Sequence, residues 1–240
     1  FGVNIKPANA STWHSDVKFF ELYDNDKLLG GFYLDLFARL GKKGGAWLSG
    51  YQSRHYFDQQ YLPVGFIVAN FSPPSDDKVA CLSLDEVTTL FHEFGHALHH
   101  LLSETTVSEV AGINSVEWDA VELPSQFMEN FITTNEGIAK ISRHIDSGEP
   151  LPQETLSAIL RAKNFQSGMQ TLRQLEFALF DLSLHSTPIS DFNDVLALNN
   201  KIRQEVAVIQ PPASNRFANG FSHIFAGGYA SGYYSVSYTH

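Results

Sequence analysis

Residues 90–99 read Leu-Phe-His-Glu-Phe-Gly-His-Ala-Leu-His, and the pair His92 and His96, with Glu93 directly behind the first, constrains this chain more than any other stretch. On an α-helix four residues advance about 400°, so both rings leave one face roughly 6 Å apart along the axis. Two neutral imidazoles so placed can each give one nitrogen to a single Zn²⁺. Glu93 points a step around the helix, where a carboxylate can work on a water at the metal without being a ligand.

A shared face for the two rings requires a helix, and the flanks supply one. Ser83-Leu84-Asp85-Glu86 has the form of a capping box, a side-chain oxygen followed three residues on by a carboxylate. Asp85 and Glu86 suit the positive end of the helix dipole. Val87, Leu90, Phe91, Phe94, Leu98, Leu101 and Leu102 then recur at helical spacing. A helix over residues 84–102 is expected, with the small Gly95 between the two histidines. His99 lies two turns beyond His92, roughly 10 Å away and too far for the same ion, and His100 reads as structural or solvated.

With 240 residues, 43% of them hydrophobic, the chain can bury a sizeable core in one domain. A net charge of −10 speaks against nucleic acid or an anionic membrane surface as partner. No run approaches the ~18 apolar residues of a membrane span. The single cysteine, Cys81, excludes an internal disulfide framework and fits a reducing, cytoplasmic compartment. No signal peptide is visible, although Phe1 is no initiator.

Along the chain, residues 1–13 suggest a strand and a loop. Residues 17–37, with Asp24-Asn25-Asp26 in the middle, suggest a hairpin. Residues 41–45 are a loop by composition, and residues 63–71 a further strand. An exposed edge strand beside a zinc helix can bind an extended peptide through its main chain, and residues 64–71 are the candidate, a strand buried for the core alone being the equal alternative. Beyond the metal helix, residues 103–116 read as a loop or broken helix. A helix is expected to begin near Leu123, with Pro124 in its first turn. Helices follow over about 152–166, 169–185 and 191–209, parted by Gly168 and by Thr187-Pro188. The fold class is therefore mainly α (α+β), a helical catalytic domain with a small sheet before the histidine-bearing helix. Residues 1–80 form a sheet-containing lobe and residues 81–240 a helical lobe with the metal site.

A hydrolytic zinc site needs a third protein ligand and one open position. Glu104, Glu109, Glu117, Asp119, Glu122 and Glu129 all follow the motif, and spacing alone does not choose among them. The chain resembles the M3 family of metallopeptidases, which includes the oligopeptidases A, thimet oligopeptidase and the dipeptidyl carboxypeptidases. The resemblance rests on residues 89–99, on Trp-Asp-Ala-Val-Glu-Leu-Pro-Ser-Gln-Phe-Met-Glu-Asn at residues 118–130, and on residues 223–234. It spans nearly the whole chain and is closest to the oligopeptidase A branch.

The resemblance implies a zincin-like domain holding one Zn²⁺ per chain through His92, His96 and Glu122, with Glu93 as general base. Asp119 or Glu129 is then available to orient a liganding imidazole. It also implies that His223, Tyr229 and Tyr233 bind substrate and stabilise the oxyanion, in a segment whose glycines allow close backbone approach. Short peptides are the implied substrates; no oligomeric state follows. Two departures stand out. Where the family carries a further tyrosine this chain has Val236, and the domain reads as truncated at both ends, without the family's N-terminal channel wall. The competing reading is an inactive, zinc-binding fragment of such an enzyme. A purely structural zinc site is disfavoured, because Cys81 does not sit at ligand spacing.

Overall fold

The computed structural model describes residues 1–75, 79–212, 214–226 and 228–235, without the side chains of Lys163 and Ser235. Val236, the position expected to lack a tyrosine, lies outside the described residues. The chain divides into two units, Phe1–Glu117 with Leu123–Lys140 and Trp118–Glu122 with Ile141–His240.

In the first unit the strands are β1 (Val3–Ala8), β2 (Lys18–Asp24), β3 (Lys27–Phe37), β4 (Trp47–Gln52), β5 (His55–Tyr56), β6 (Gln60–Tyr61) and β7 (Val64–Phe71). β5 and β6 pair with each other, and the other five form one sheet in the order β1-β2-β3-β7-β4. The expected hairpin is β2 and β3, paired from Asp24↔Lys27 outward. Its turn places Asn25 at φ 51°, a left-handed conformation that asparagine tolerates better than most residues. β3 runs parallel to β7 and β4 runs antiparallel to it.

β7 is therefore interior, which sets aside the edge-strand reading and leaves that of a strand buried in the core. Both of its hydrogen-bonding sides are occupied, and its near-continuous apolar run, VGFIVANF, is the pattern of a strand covered on both faces. The sheet's edges are β1 and β4. β4, WLSGYQ, has no period-two alternation to announce it.

The sheet positions α1 (Leu84–Leu102), which has the expected bounds. Leu22, Phe32 and Ile67 of the sheet meet Ala97, Leu98 and Leu101 of the helix, and Met128 of α2 (Leu123–Glu129) closes the cluster. Each fully buried side chain of this kind contributes about 1.5–3 kcal/mol. The last carbonyls of α1 would otherwise lack partners. The buried Arg54 guanidinium donates to the Leu101 and Ser103 oxygens, 3.2 and 2.6 Å away. His100 is structural: it is buried, its Nε2 lies 3.0 Å from the Gln52 oxygen, and a Cβ on Gly112 would stand 2.5 Å from its Nδ1. A short α3 (Asn135–Ile141) follows α2 where no helix was expected.

The second unit contains α4 (Gln153–Lys163), α5 (Ser167–Ser186), α6 (Phe192–Val206) and α7 (Phe217–Gly220). The break between α4 and α5 is made by Gln166, at φ 56°, rather than by Gly168, which lies inside α5. α5 and α6 pack around Phe180, Leu184, Ile202, Ala218, Phe221, Ile224 and Tyr233. Glu176, fully buried on α5, is held between Arg203 and Arg173 at 2.8 and 2.6 Å. No described helix is long and apolar enough to cross a membrane.

Candidate metal centre

The capping box at the start of α1 is complete: Ser83 Oγ accepts from the Glu86 amide at 3.2 Å and Glu86 Oε2 from the Ser83 amide at 2.7 Å. Eight residues of unbroken helix lead from this cap to His92. The rings of His92 and His96 stand 5.0 Å apart between centroids, nearly perpendicular at 85°. That separation is what an i, i+4 pair on one helical face gives.

Gly95, between them, faces α2. A Cβ there would lie 2.5 Å from both the Pro124 oxygen and the Ser125 Cα, so the two helices meet backbone to backbone. This close approach is why Gly95 has to be small. It also carries Glu129, the last residue of α2, to His92: Glu129 Oε1 is 2.7 Å from Nδ1 of the ring. In the neutral tautomer whose Nδ1–H donates to this carboxylate, Nε2 keeps its lone pair for an ion. Of the two acids left open for this role, it is Glu129 that reaches His92; Asp119 is exposed. A signal existed in the spacing, since Glu122 and Glu129 are seven residues apart and share a face where the helix is continuous.

Glu122 immediately precedes α2 and is 5% exposed. His92, His96 and Glu122 each offer one ligand atom, and these atoms all lie within 4.8 Å of one another. Two neutral imidazoles and one carboxylate fit the three-ligand set of a catalytic zinc, which leaves a fourth position for water. Glu93, beside His92 on α1, is buried. His99 has its pKa lowered by burial, and by the nearby His96 and His100, so it stays neutral more readily than an exposed histidine.

In the second unit the Tyr229 hydroxyl donates to Glu122 Oε1 at 2.8 Å. The Tyr229 ring meets Trp118 edge-on, with centroids 4.7 Å apart. Gly228, at φ +87°, passes so near Trp118 that a Cβ would stand 3.0 Å from its ring. His223 lies in a 3-10 turn over Ser222–Ile224, partly buried beside Phe221 and Tyr233. Tyr233 is 1% exposed, packed edge-on against Phe221, and burial pushes its hydroxyl pKa up.

The model of peptidase family M3 matches residues 1–240. Oligopeptidase A of Haemophilus influenzae is 51% identical over 235 residues, which cover 96% of this chain and 34% of that protein. Oligopeptidase A of Escherichia coli is 50% identical, over 98% of this chain and 35% of its own length. Dipeptidyl carboxypeptidase of the same organism is 33% identical over 100% of this chain and 35% of that protein. The chain thus spans about a third of the length of the curated relatives it matches.

Proposed function

The chain belongs to peptidase family M3, and from that premise we propose that it carries a zinc-dependent site that hydrolyses peptide bonds of short peptides. The observation that carries the reading is the group of His92, His96 and Glu122, whose ligand atoms lie within 4.8 Å of one another. In this proposal those three side chains hold one zinc ion. Zinc, when bound, supplies Lewis acidity, making water nucleophilic near neutral pH and drawing charge from the peptide carbonyl.

The chain's own residues do the rest. Glu93 accepts the proton of the attacking water and delivers it to the leaving amine, a task for a carboxylate beside the ligands and not among them. Glu129, by accepting from His92 Nδ1, keeps that ring in the tautomer whose Nε2 can ligate. His223 and Tyr229 are assigned to the substrate and to the oxyanion, which needs donors preorganised at the carbonyl. The Tyr229 hydroxyl, which donates to the proposed ligand Glu122, has one proton, and in this reading it turns that proton to the oxyanion when substrate is bound. Tyr233 is assigned to the same task, on the resemblance alone, and its buried ring also anchors the segment. A cytoplasmic location is proposed with these, on the single, exposed Cys81.

The test is cleavage of a quenched fluorescent peptide by zinc-loaded protein, beside its Glu93→Gln variant. Removal of the base should lower turnover on the order of 10²–10⁴-fold, with zinc content unchanged. Zinc lost together with activity would refute the role of Glu93. One zinc bound per chain with no turnover in the parent protein would favour the inactive, zinc-binding reading.

A further inference from the structure

Asp181 sits in α5 at 0% exposure, between Phe180 and Leu184 of the second unit's core. A carboxylate is costly there unless its charge is met by well-aligned donors. The donors come from residues 231–233 and from its own helix. Oδ1 accepts the Ser231 amide at 2.9 Å and Oδ2 the Tyr233 amide at 3.0 Å. His185 Nδ1, one turn along α5, lies 2.9 Å from Oδ1.

The two amides are alternate members of a turn that leads into a short 3-10 helix over Tyr233–Ser235. Between them and Tyr229 the chain makes a tight fold: the Gly232 amide donates to the Tyr229 oxygen at 2.9 Å. Ser231 adopts φ 61°, a left-handed conformation that a serine holds only where its surroundings enforce it. Fixing both amides fixes this turn, and the turn sets where Tyr229 leaves the backbone. The Tyr229 ring then rests on Trp118, and its hydroxyl reaches Glu122.

We propose that Asp181 is a positioning residue for Tyr229, its carboxylate locking the Ser231–Tyr233 turn so that the Tyr229 hydroxyl is held on Glu122. The assignment rests on the proposed roles of Tyr229 and Glu122. A carboxylate serving only the stability of α5 would have no reason to address two amides of the turn that follows Tyr229.

The experiment uses the full chain with zinc, as Asp181→Asn, Tyr229→Phe and the double variant. The asparagine keeps size and shape but presents an amino group to one of the two N–H donors. Asp181→Asn should lower kcat by up to about 10²-fold, as a small misplacement of a reacting group does, at little-changed KM. In the Tyr229→Phe background the same change should cost less than about 2-fold more, because residues acting through one group are not additive. An equal loss in both backgrounds would overturn the proposal.

Two readouts need no turnover. In zinc-free protein with ¹³C-labelled tyrosine rings, the resonance that vanishes in Tyr229→Phe should shift in Asp181→Asn. In the parent protein the Ser231 and Tyr233 amides should exchange with solvent far more slowly than those of an open turn. An unmoved Tyr229 resonance, or exchange of both amides at open-turn rates, would overturn the proposal, and the exchange measurement decides even if Asp181→Asn fails to fold. If zinc-loaded parent protein cleaves no peptide, the peptidase reading fails separately, while the resonance and the exchange rates still decide the role of Asp181.

Discussion

In α1 the direction of each side chain follows from the backbone alone, whereas in residues 228–233 it follows from acceptors supplied by distant parts of the chain. His92 and His96 share a face because any two residues four apart on a helix do. The helix has its cap at Ser83, and at its other end Arg54 meets the Leu101 and Ser103 oxygens, so each end has a side-chain partner. Residues 228–233 have no such frame. Their conformation includes Gly228 at φ +87° and Ser231 at φ 61°, and two of their amides are met by the Asp181 carboxylate. Rigid chemistry can thus be specified locally, in ten residues, or globally, by a carboxylate some fifty residues away in sequence.

The sharpest way to test the metal side of this comparison is Glu122→Ala. The residue is proposed as the third ligand and accepts the Tyr229 hydroxyl. Loss of an outer partner of a metal ligand costs about 10–100-fold in metal affinity, and loss of a ligand should exceed that. Competition with a chelator should show zinc affinity reduced by more than about 100-fold, with helical circular dichroism unchanged. Undiminished affinity would move the carboxylate ligand to another acid.

The same contrast explains what could be read from the sequence. α1 was legible to its ends because cap, dipole and periodicity are all local signals. The β2–β3 hairpin was legible from Asp24-Asn25-Asp26. The place of β7 was not, since its two neighbours, one parallel and one the unannounced β4, are chosen by tertiary pairing. α3 is only seven residues long and contains Gly137, which packs so closely on the Phe131 oxygen that no Cβ fits between them. At the candidate site, the spacing of His92, Glu93 and His96 was visible in ten residues. Spacing left Glu122 among six acids, and only the family resemblance singled it out. Asp181 gave no motif at all. Its one trace is an acid on a helix face otherwise lined by Phe177, Phe180 and Leu184, beside the equally buried Glu176.

Two glycines allow the comparison to be broken by the same substitution. Gly95→Ala puts a methyl 2.5 Å from α2 backbone atoms that cannot rotate away. Overpacking of this kind costs about 1–3 kcal/mol. Because α2 carries Glu129 and follows directly on Glu122, zinc affinity should fall along with the melting temperature. Gly228→Ala instead forces a left-handed alanine, about 1–2 kcal/mol, and presses it on Trp118. Its loss should appear mainly in kcat for peptide cleavage, through Tyr229, and less in zinc affinity. If the two variants gave the same ratio of lost affinity to lost turnover, the two regions would not be held independently.

The smallest effect expected is that of Ser83→Ala. The substitution removes the acceptor for the Glu86 amide and leaves one amide of the first turn without its side-chain partner. Caps of this type are worth about 1 kcal/mol, so thermal unfolding should move by a few degrees at most. The frayed turn lies some two turns ahead of His92, and the helix between is packed against the sheet-and-helix core through Leu90 and Phe91. Fraying should therefore stop short of the histidines, with zinc affinity by chelator competition equal to that of the parent. A measurable drop in affinity would mean that the geometry of His92 and His96 depends on how the helix is entered. α1 would then be positioned from outside, as residues 228–233 are, and the distinction between the two regions would fail at its simplest point.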